Sequence, residues 1–325
     1  MRDIRSCVSE YAVGVVSDKS CINIINSPDS STPSILNSVT CYYKTLVSTQ
    51  KQIPMITITW AKNTPSSDQS LTIIFGKEEE EEITTFKLNT NPRLFKKLKG
   101  TKSIQYCLTT KIDISWDLSS ARYQTGPEPV SGYYILITID SEPGLVLGDL
   151  TRRQPISKPG TKFSLVSRRE HFSGGTAHYS TKTRFGDSGR AHDVSIRCSG
   201  EEEGGGVVKK NVGNWVLSVC IDKKMVVNVK RLKWNFRGNQ TIFLDGLLLD
   251  LMWDLHAWFF RKRNGNDNGN GNGNGNGNAG VFMFRTRRST GSDSSLWRLE
   301  EDDKTTSYKG QDCGVDFSLM IYASL

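Results

Sequence analysis

This chain offers little raw material for catalytic or metal-binding chemistry. Histidine occurs four times, at His171, His178, His192 and His256, and none stands at a spacing that gathers metal ligands. His192-Asp193, and Asp254 with His256, resemble fragments of acid-base sites, yet no nucleophile or cysteine completes either set. The cysteines Cys7, Cys21, Cys41, Cys107, Cys198, Cys220 and Cys313 are odd in number and never form a close Cys-X-X-Cys pair. That spacing argues against a zinc knuckle or a disulfide framework, so reduced, mostly buried thiols are expected. Gly174-Gly175 and Gly204 to Gly206 are not followed by Lys-Ser or Lys-Thr, which leaves no phosphate-binding loop. No cofactor is therefore expected.

Long apolar runs are missing as well. The stretch Tyr11 to Val16, preceded by Asp3 and Glu10, is a poor signal peptide and too short to span a bilayer. An intracellular protein, cytoplasmic or nuclear, is expected, and the sequon Asn239-Gln240-Thr241 then carries no glycan. What the chain does have is 36% hydrophobic residues beside 23% charged ones over 325 residues, enough for two units of ordinary domain size with real cores. Its net charge of +8 and pI near 9.0 favour anionic partners. The charge is uneven. Acidic runs at Glu78 to Glu82 and Glu201 to Glu203 stand apart from Lys230-Arg231 and Arg261-Lys262-Arg263.

Short runs of β-branched and aromatic residues recur at Val39 to Val47, Ile53 to Trp60, Leu71 to Phe75, Ile83 to Leu88, Lys102 to Leu108, Lys111 to Leu118 and Tyr133 to Asp140. A second series follows at His178 to Phe185, Asp193 to Cys198, Trp215 to Asp222, Val226 to Phe236, Thr241 to Leu244, Leu247 to Leu255 and Val281 to Arg287. Gly, Pro, Asn or Ser separates most runs and helical periodicity is not sustained, which predicts antiparallel β structure.

The two series match at a nearly constant offset. Lys44-Thr45 recurs as Lys182-Thr183, Ile58 as Ile196, and Gly100 and Ile104 as Gly238 and Ile242, all 138 residues on. Ile112 to Leu118, containing Trp116-Asp117, recurs as Leu249 to Leu255, containing Trp253-Asp254. The predicted fold is all-β, with two related antiparallel sandwich or barrel-like modules from an internal duplication, either side by side or fused into one double body. The predicted division is a Ser/Pro-rich arm at 1–37, a first module at 38–150, a connector with at most a short helix at 151–177, and a second module at 178–290. An Asn/Gly-rich loop expansion at 264–278 interrupts the second module, and 291–325 form a polar segment with a last strand at Phe317 to Tyr322.

Two motifs place charged residues along one strand face. Asp113 and Asp117 share one face of a strand but lie about 13 Å apart, beyond the roughly 5 to 9.5 Å of paired glycosidase carboxylates, so the repeated Trp-Asp strand reads as core. Val227 to Arg237 is the stronger candidate. As one strand it would turn Leu232, Trp234 and Phe236 inward and set Arg231, Lys233 and Arg237 on the other face, a stripe able to hold phosphates or other anions. The same stripe could equally be a solvated face that discourages edge pairing.

Several segments resemble one known family. Val39 to Thr45, Ile112 to Leu118, Gly126 to Tyr134, Leu165 to His171 and, most specifically, Val229 to Ile242 are similar to the plant-specific domain-of-unknown-function family numbered eight-six-eight. The resemblance covers nearly the whole chain and implies a land-plant origin and a shared β fold, but no reaction and no catalytic residue. The chain departs from the family pattern between Leu150 and Ser164 and in the Asn/Gly tract. The expected function is a non-catalytic binding or scaffold protein meeting a protein or anionic partner, with nucleic acid less supported. Peripheral binding to anionic membrane surfaces is the rival. An enzyme acting on carbohydrate or a phosphoester is a third reading.

Overall fold

The computed structural model describes residues 13–14, 34–45, 54–62, 69–76, 84–89, 98–106, 110–150, 163–174, 177–185, 189–200, 215–260, 279–287 and 317–324. Among these the chain is almost entirely β. Strand alternation is the reason: in Lys111–Asp117, Ile112, Ile114 and Trp116 are buried while Asp113, Ser115 and Asp117 face the other way.

A two-residue strand β1 (Val13–Gly14) precedes an antiparallel meander of β2 (Ile35–Thr45), β3 (Ile56–Lys62), β4 (Gln69–Phe75) and β5 (Thr84–Asn89). A second meander follows, made of β6 (Lys99–Gln105), β7 (Lys111–Asp117), β10 (Tyr134–Ile139) and β11 (Glu142–Gly148), with the small hairpin β8 (Arg122–Tyr123) and β9 (Pro129–Ser131) set into it. After β12 (Phe163–Ser173) the pattern returns. The strands β13 (His178–Arg184), β14 (Ala191–Gly200), β15 (Trp215–Ile221) and β16 (Lys224–Val229) form one meander. The strands β17 (Arg237–Leu244), β18 (Leu247–Asp254), β19 (Gly280–Arg287) and β20 (Ser318–Ala323) form the other, with the short helix α1 (His256–Phe260) after β18.

Each half has its own core. In the first, Ile58 and Trp60 of β3 and Leu71 and Ile73 of β4 pack with Ile114, Trp116 and Ile137 of the facing meander. In the second, Ile196 and Val219 pack with Leu251, Trp253 and Phe284. Strand β12 then joins the halves, antiparallel to β2 and parallel to β20, so one nine-stranded sheet runs β17-β18-β19-β20-β12-β2-β3-β4-β5 through both. The matched segments occupy matched strands: Ile58 and Ile196 lie on β3 and β14, and the Trp-Asp runs on β7 and β18. Gly100 stands opposite Trp116, and Gly238 opposite Trp253. A Cβ at either glycine would press on the indole it faces.

Three local expectations need correction. Strand β2 begins at Ile35, inside the expected arm. Residues 163–173, read as part of a connector, form a long strand at the centre of the large sheet. The run was misleading because its inward positions carry Arg168 and Glu170, charges that neutralise each other instead of an apolar stripe. Third, Val227 to Arg237 is not one strand. Strand β16 ends at Val229, Arg231 adopts a left-handed conformation at φ 52°, and the chain crosses from one sheet of the sandwich to the other before β17 begins. A period-two pattern does not distinguish a continuing strand from such a corner. The Asn/Gly tract at 264–278 lies outside the described residues.

Candidate functional site

The corner between β16 and β17 is held at every step. Leu232 is fully buried and plugs the end of the second core, and its N–H donates to Trp215 O at 2.7 Å. The N–H groups of Trp234 and Asn235 both donate to Arg231 O, at 2.9 and 3.1 Å, and Asn235 Nδ2 donates to Lys230 O at 3.0 Å. From the facing sheet, Trp253 Nε1 donates to Asn235 O at 2.9 Å and Leu255 N to Phe236 O at 2.8 Å. At about 0.5–1.5 kcal/mol net for each bond, these fix a turn that would otherwise carry the full entropy of a surface loop.

The turn presents cations around an aromatic tip. Trp234 is 83% exposed, Arg231 is exposed and Lys233 half-buried. Among the described residues no carboxylate lies within ion-pair distance of Arg231 or Lys233. Arg237, the first residue of β17, pairs with Asp254 at 2.9 Å and sits over the Phe236 ring at 5.6 Å from its centroid. Phe236 in turn packs on His256 and on Phe260, whose ring is itself exposed. Arg231, Lys233 and Arg237 therefore lie along a corner and at the start of the next strand, not on one strand face. Trp234, expected inward, points out. A sequence signal for the corner did exist: at the 138-residue offset Val229-Lys230 falls on Asn91-Pro92, a turn dipeptide.

The histidine fragments resolve into supporting structure. His192 is buried and its Nδ1 meets Asp222 Oδ2 at 2.8 Å, while Nε2 lies 3.6 Å from Asp245 Oδ2. Arg190 bridges the same two carboxylates at 3.1 and 2.7 Å. Asp222 and Asp245 occupy left-handed positions in the β15–β16 and β17–β18 hairpin turns, so this cluster ties the two sheets together at one end. Burial opposes ionisation of Asp222, but the bonds from His192 and the Asp193 N–H, with the charge of Arg190, hold its carboxyl below the ordinary range. Asp254 Oδ1 accepts from the His256 backbone N–H at 2.9 Å at the start of α1. Among the described residues no three His, Cys, Asp or Glu side chains are grouped to hold a metal ion.

A second polar cluster lies at the seam. Arg168 of β12 bonds Glu170 Oε1 at 2.6 Å and Glu128 Oε2 at 2.9 Å, and Thr181 of β13 donates to Glu170 Oε1 at 2.8 Å. Glu170 is fully buried and its Oε2 has no hydrogen-bond partner. Burial pushes the neighbouring Cys41 thiol up to about 12, only partly offset by Arg168, and raises Tyr43 and Tyr133 as well. Such protonated groups serve as neither nucleophile nor base at neutral pH. On the opposite face of β12, Arg169 stacks on Tyr42 and His171 lies parallel to Tyr322 with centroids 4.5 Å apart. Burial, with the nearby Arg169 charge, lowers the His171 pKa. Cys41 and Cys198 are free and buried, as expected of reduced thiols, whereas Cys220 is disulfide-bonded, against the expectation of a reduced thiol there.

No described helix is long and apolar enough to cross a membrane. No curated protein and no solved structure matches the chain. The sequence does match the model of one family, described as plant protein of unknown function (DUF868), over residues 34–324, and the chain belongs to that family.

Proposed function

We propose that the chain is a non-catalytic binding protein whose Lys230 to Arg237 corner docks on an anionic partner. The observation that carries this reading is Trp234, 83% exposed at the tip of a turn fixed by hydrogen bonds and flanked by cations. Burying so large an apolar ring on contact, with Arg231 and Lys233 meeting negative charge, is the usual composition of a binding hot spot. A pre-formed turn also loses little entropy on docking. An anionic bilayer is the partner this composition favours. An aromatic ring beside cations suits the headgroup boundary, and a single protruding tryptophan lacks the row of stacking platforms that single-stranded nucleic acid uses.

The test is co-sedimentation of the full chain with phosphatidylserine-containing vesicles, neutral phosphatidylcholine vesicles, and an immobilised oligonucleotide as competitor surface. The expected result is pelleting with the anionic vesicles alone, release in salt, and loss in both Trp234→Ala and Arg231→Ala/Lys233→Ala. Retention on the oligonucleotide that depends on the same residues would move the partner from lipid to nucleic acid. Binding unchanged in both variants, or absent on every anionic surface, would remove the corner from consideration.

A further inference from the structure

Among the described residues, strand β17 closes one edge of the nine-stranded sheet and is paired on one side only. The bond from Leu255 N to Phe236 O fixes the alternation of the β17–β18 ladder. Even-numbered residues of β17 exchange hydrogen bonds with β18, so Arg237, Asn239, Thr241 and Phe243 turn their N–H and C=O groups toward the open side. The ladder runs from Arg237 opposite Asp254 to Leu244 opposite Leu247 with no register shift, which leaves the edge straight.

Exposed edges normally carry a lysine, a proline or a bulge, because a regular unpaired strand is a template for another. The other edge strands of the described sheets follow that rule. Lys87 stands on β5, Lys99 and Lys102 on β6, and Lys182 and Arg184 on β13. Strand β11 has Pro143 and an irregular register with β10, and β1 is two residues long. Strand β17 has no charge after Arg237, no proline and no bulge. It exposes Phe243 instead, at 74%, beside its cross-strand neighbour Leu248. The Gln240 side chain donates to Thr241 O at 3.3 Å, a long, exposed bond that a strand partner would replace.

We infer that β17 is a self-association edge, on which a second copy of this chain pairs antiparallel through its own β17. A two-fold axis normal to the sheet keeps the outer face outermost in both copies, so residues of like parity must oppose each other. Centring the axis on Gln240 engages all four open-side residues. Asn239 then meets the partner's Thr241, and Phe243 meets the partner's Arg237, twice over. Centring it on Asn239 leaves Phe243 unmatched, and centring it on Thr241 sends Arg237 against the hairpin turn at Asp245. The favoured register places a guanidinium beside an exposed ring in each symmetric half, sets no like charges opposite each other, and satisfies eight backbone groups per copy. The contact lies on the strand edge and does not rest on the anionic-partner reading of the corner.

Sedimentation velocity of the full chain over a concentration series tests this. A monomer–dimer equilibrium is expected, and Phe243→Lys should weaken it by about tenfold or more, since each substitution acts twice across the axis. Thr241→Pro should abolish it by removing an N–H that the fold itself does not use. Asn239→Glu/Thr241→Lys should retain the dimer and make it salt-sensitive, whereas other registers would not bring those charges together. Phe243 is exposed, so circular dichroism should show Phe243→Lys folded, and that variant decides the matter if Thr241→Pro does not fold. A wild-type chain that stays monomeric throughout, or a dimer indifferent to Phe243→Lys, overturns the inference.

Discussion

Replacing Arg168 with leucine removes the cation from a cluster that touches both halves of the molecule. The consequence falls mainly on Glu170, which is fully buried and would keep only the Thr181 hydroxyl at 2.8 Å. Glu128, with its side chain 31% exposed, can recover solvent. An uncompensated buried carboxylate costs about 3–5 kcal/mol, a large share of the stability of an ordinary domain. The mutant's unfolding free energy from urea denaturation should therefore fall by that amount, with a correspondingly lower midpoint. Adding Glu170→Gln to Arg168→Leu removes the stranded charge while keeping an acceptor for Thr181, and should return about 1–3 kcal/mol. Because Cys41 and Glu128 belong to the first half and Thr181 to the second, the single mutant should also separate the two tryptophan environments, Trp116 and Trp253, into distinct unfolding steps. A loss below about 1 kcal/mol for Arg168→Leu, or no recovery in the double mutant, would refute the charge-compensation account.

Two further outcomes follow from the packing. Gly238→Ala forces a methyl into the Trp253 indole and should cost about 1–3 kcal/mol by urea denaturation, more than Gly100→Ala, where the added Cβ would sit 3.0 Å from Trp116 and a slight ring shift suffices. Cys41 and Cys198 should resist iodoacetamide at pH 8 in the native state and react fully in urea, since burial raises both thiols and holds Cys41 at about 12. Fast native labelling of either would place it outside the core.

The strands were legible where one face is apolar and the other polar, as in Ile112 to Leu118 and Leu249 to Leu255. The recurrence of those two runs on corresponding strands, each with its tryptophan against a glycine, supports the proposal that the halves arose by duplication. Strand β12 was hidden for a physical reason. A central strand with charges inside gives no hydrophobic period, and part of its compensation comes from Glu128 in a distant loop and Thr181 on the next strand, which no local pattern reveals. The corner failed differently: Lys230 to Arg237 alternates as a strand would, and only the left-handed Arg231 and the exposed Trp234 break the alternation. Trp234 was misplaced with it, and with Trp234 went the aromatic half of the candidate site. The basic residues themselves were found, because charge is read directly from composition whereas the direction of a side chain is not.

The position of β20 bears on how the molecule is made. It lies between β12 and β19, yet in the chain it follows every other described strand of that sheet, so until Ser318 to Ala323 emerge from the ribosome the large sheet exists as two pieces with raw borders facing one another. A translation product that stops before Phe317 would carry those borders permanently, and chaperone capture or aggregation, more than loss of any single contact, would decide its fate.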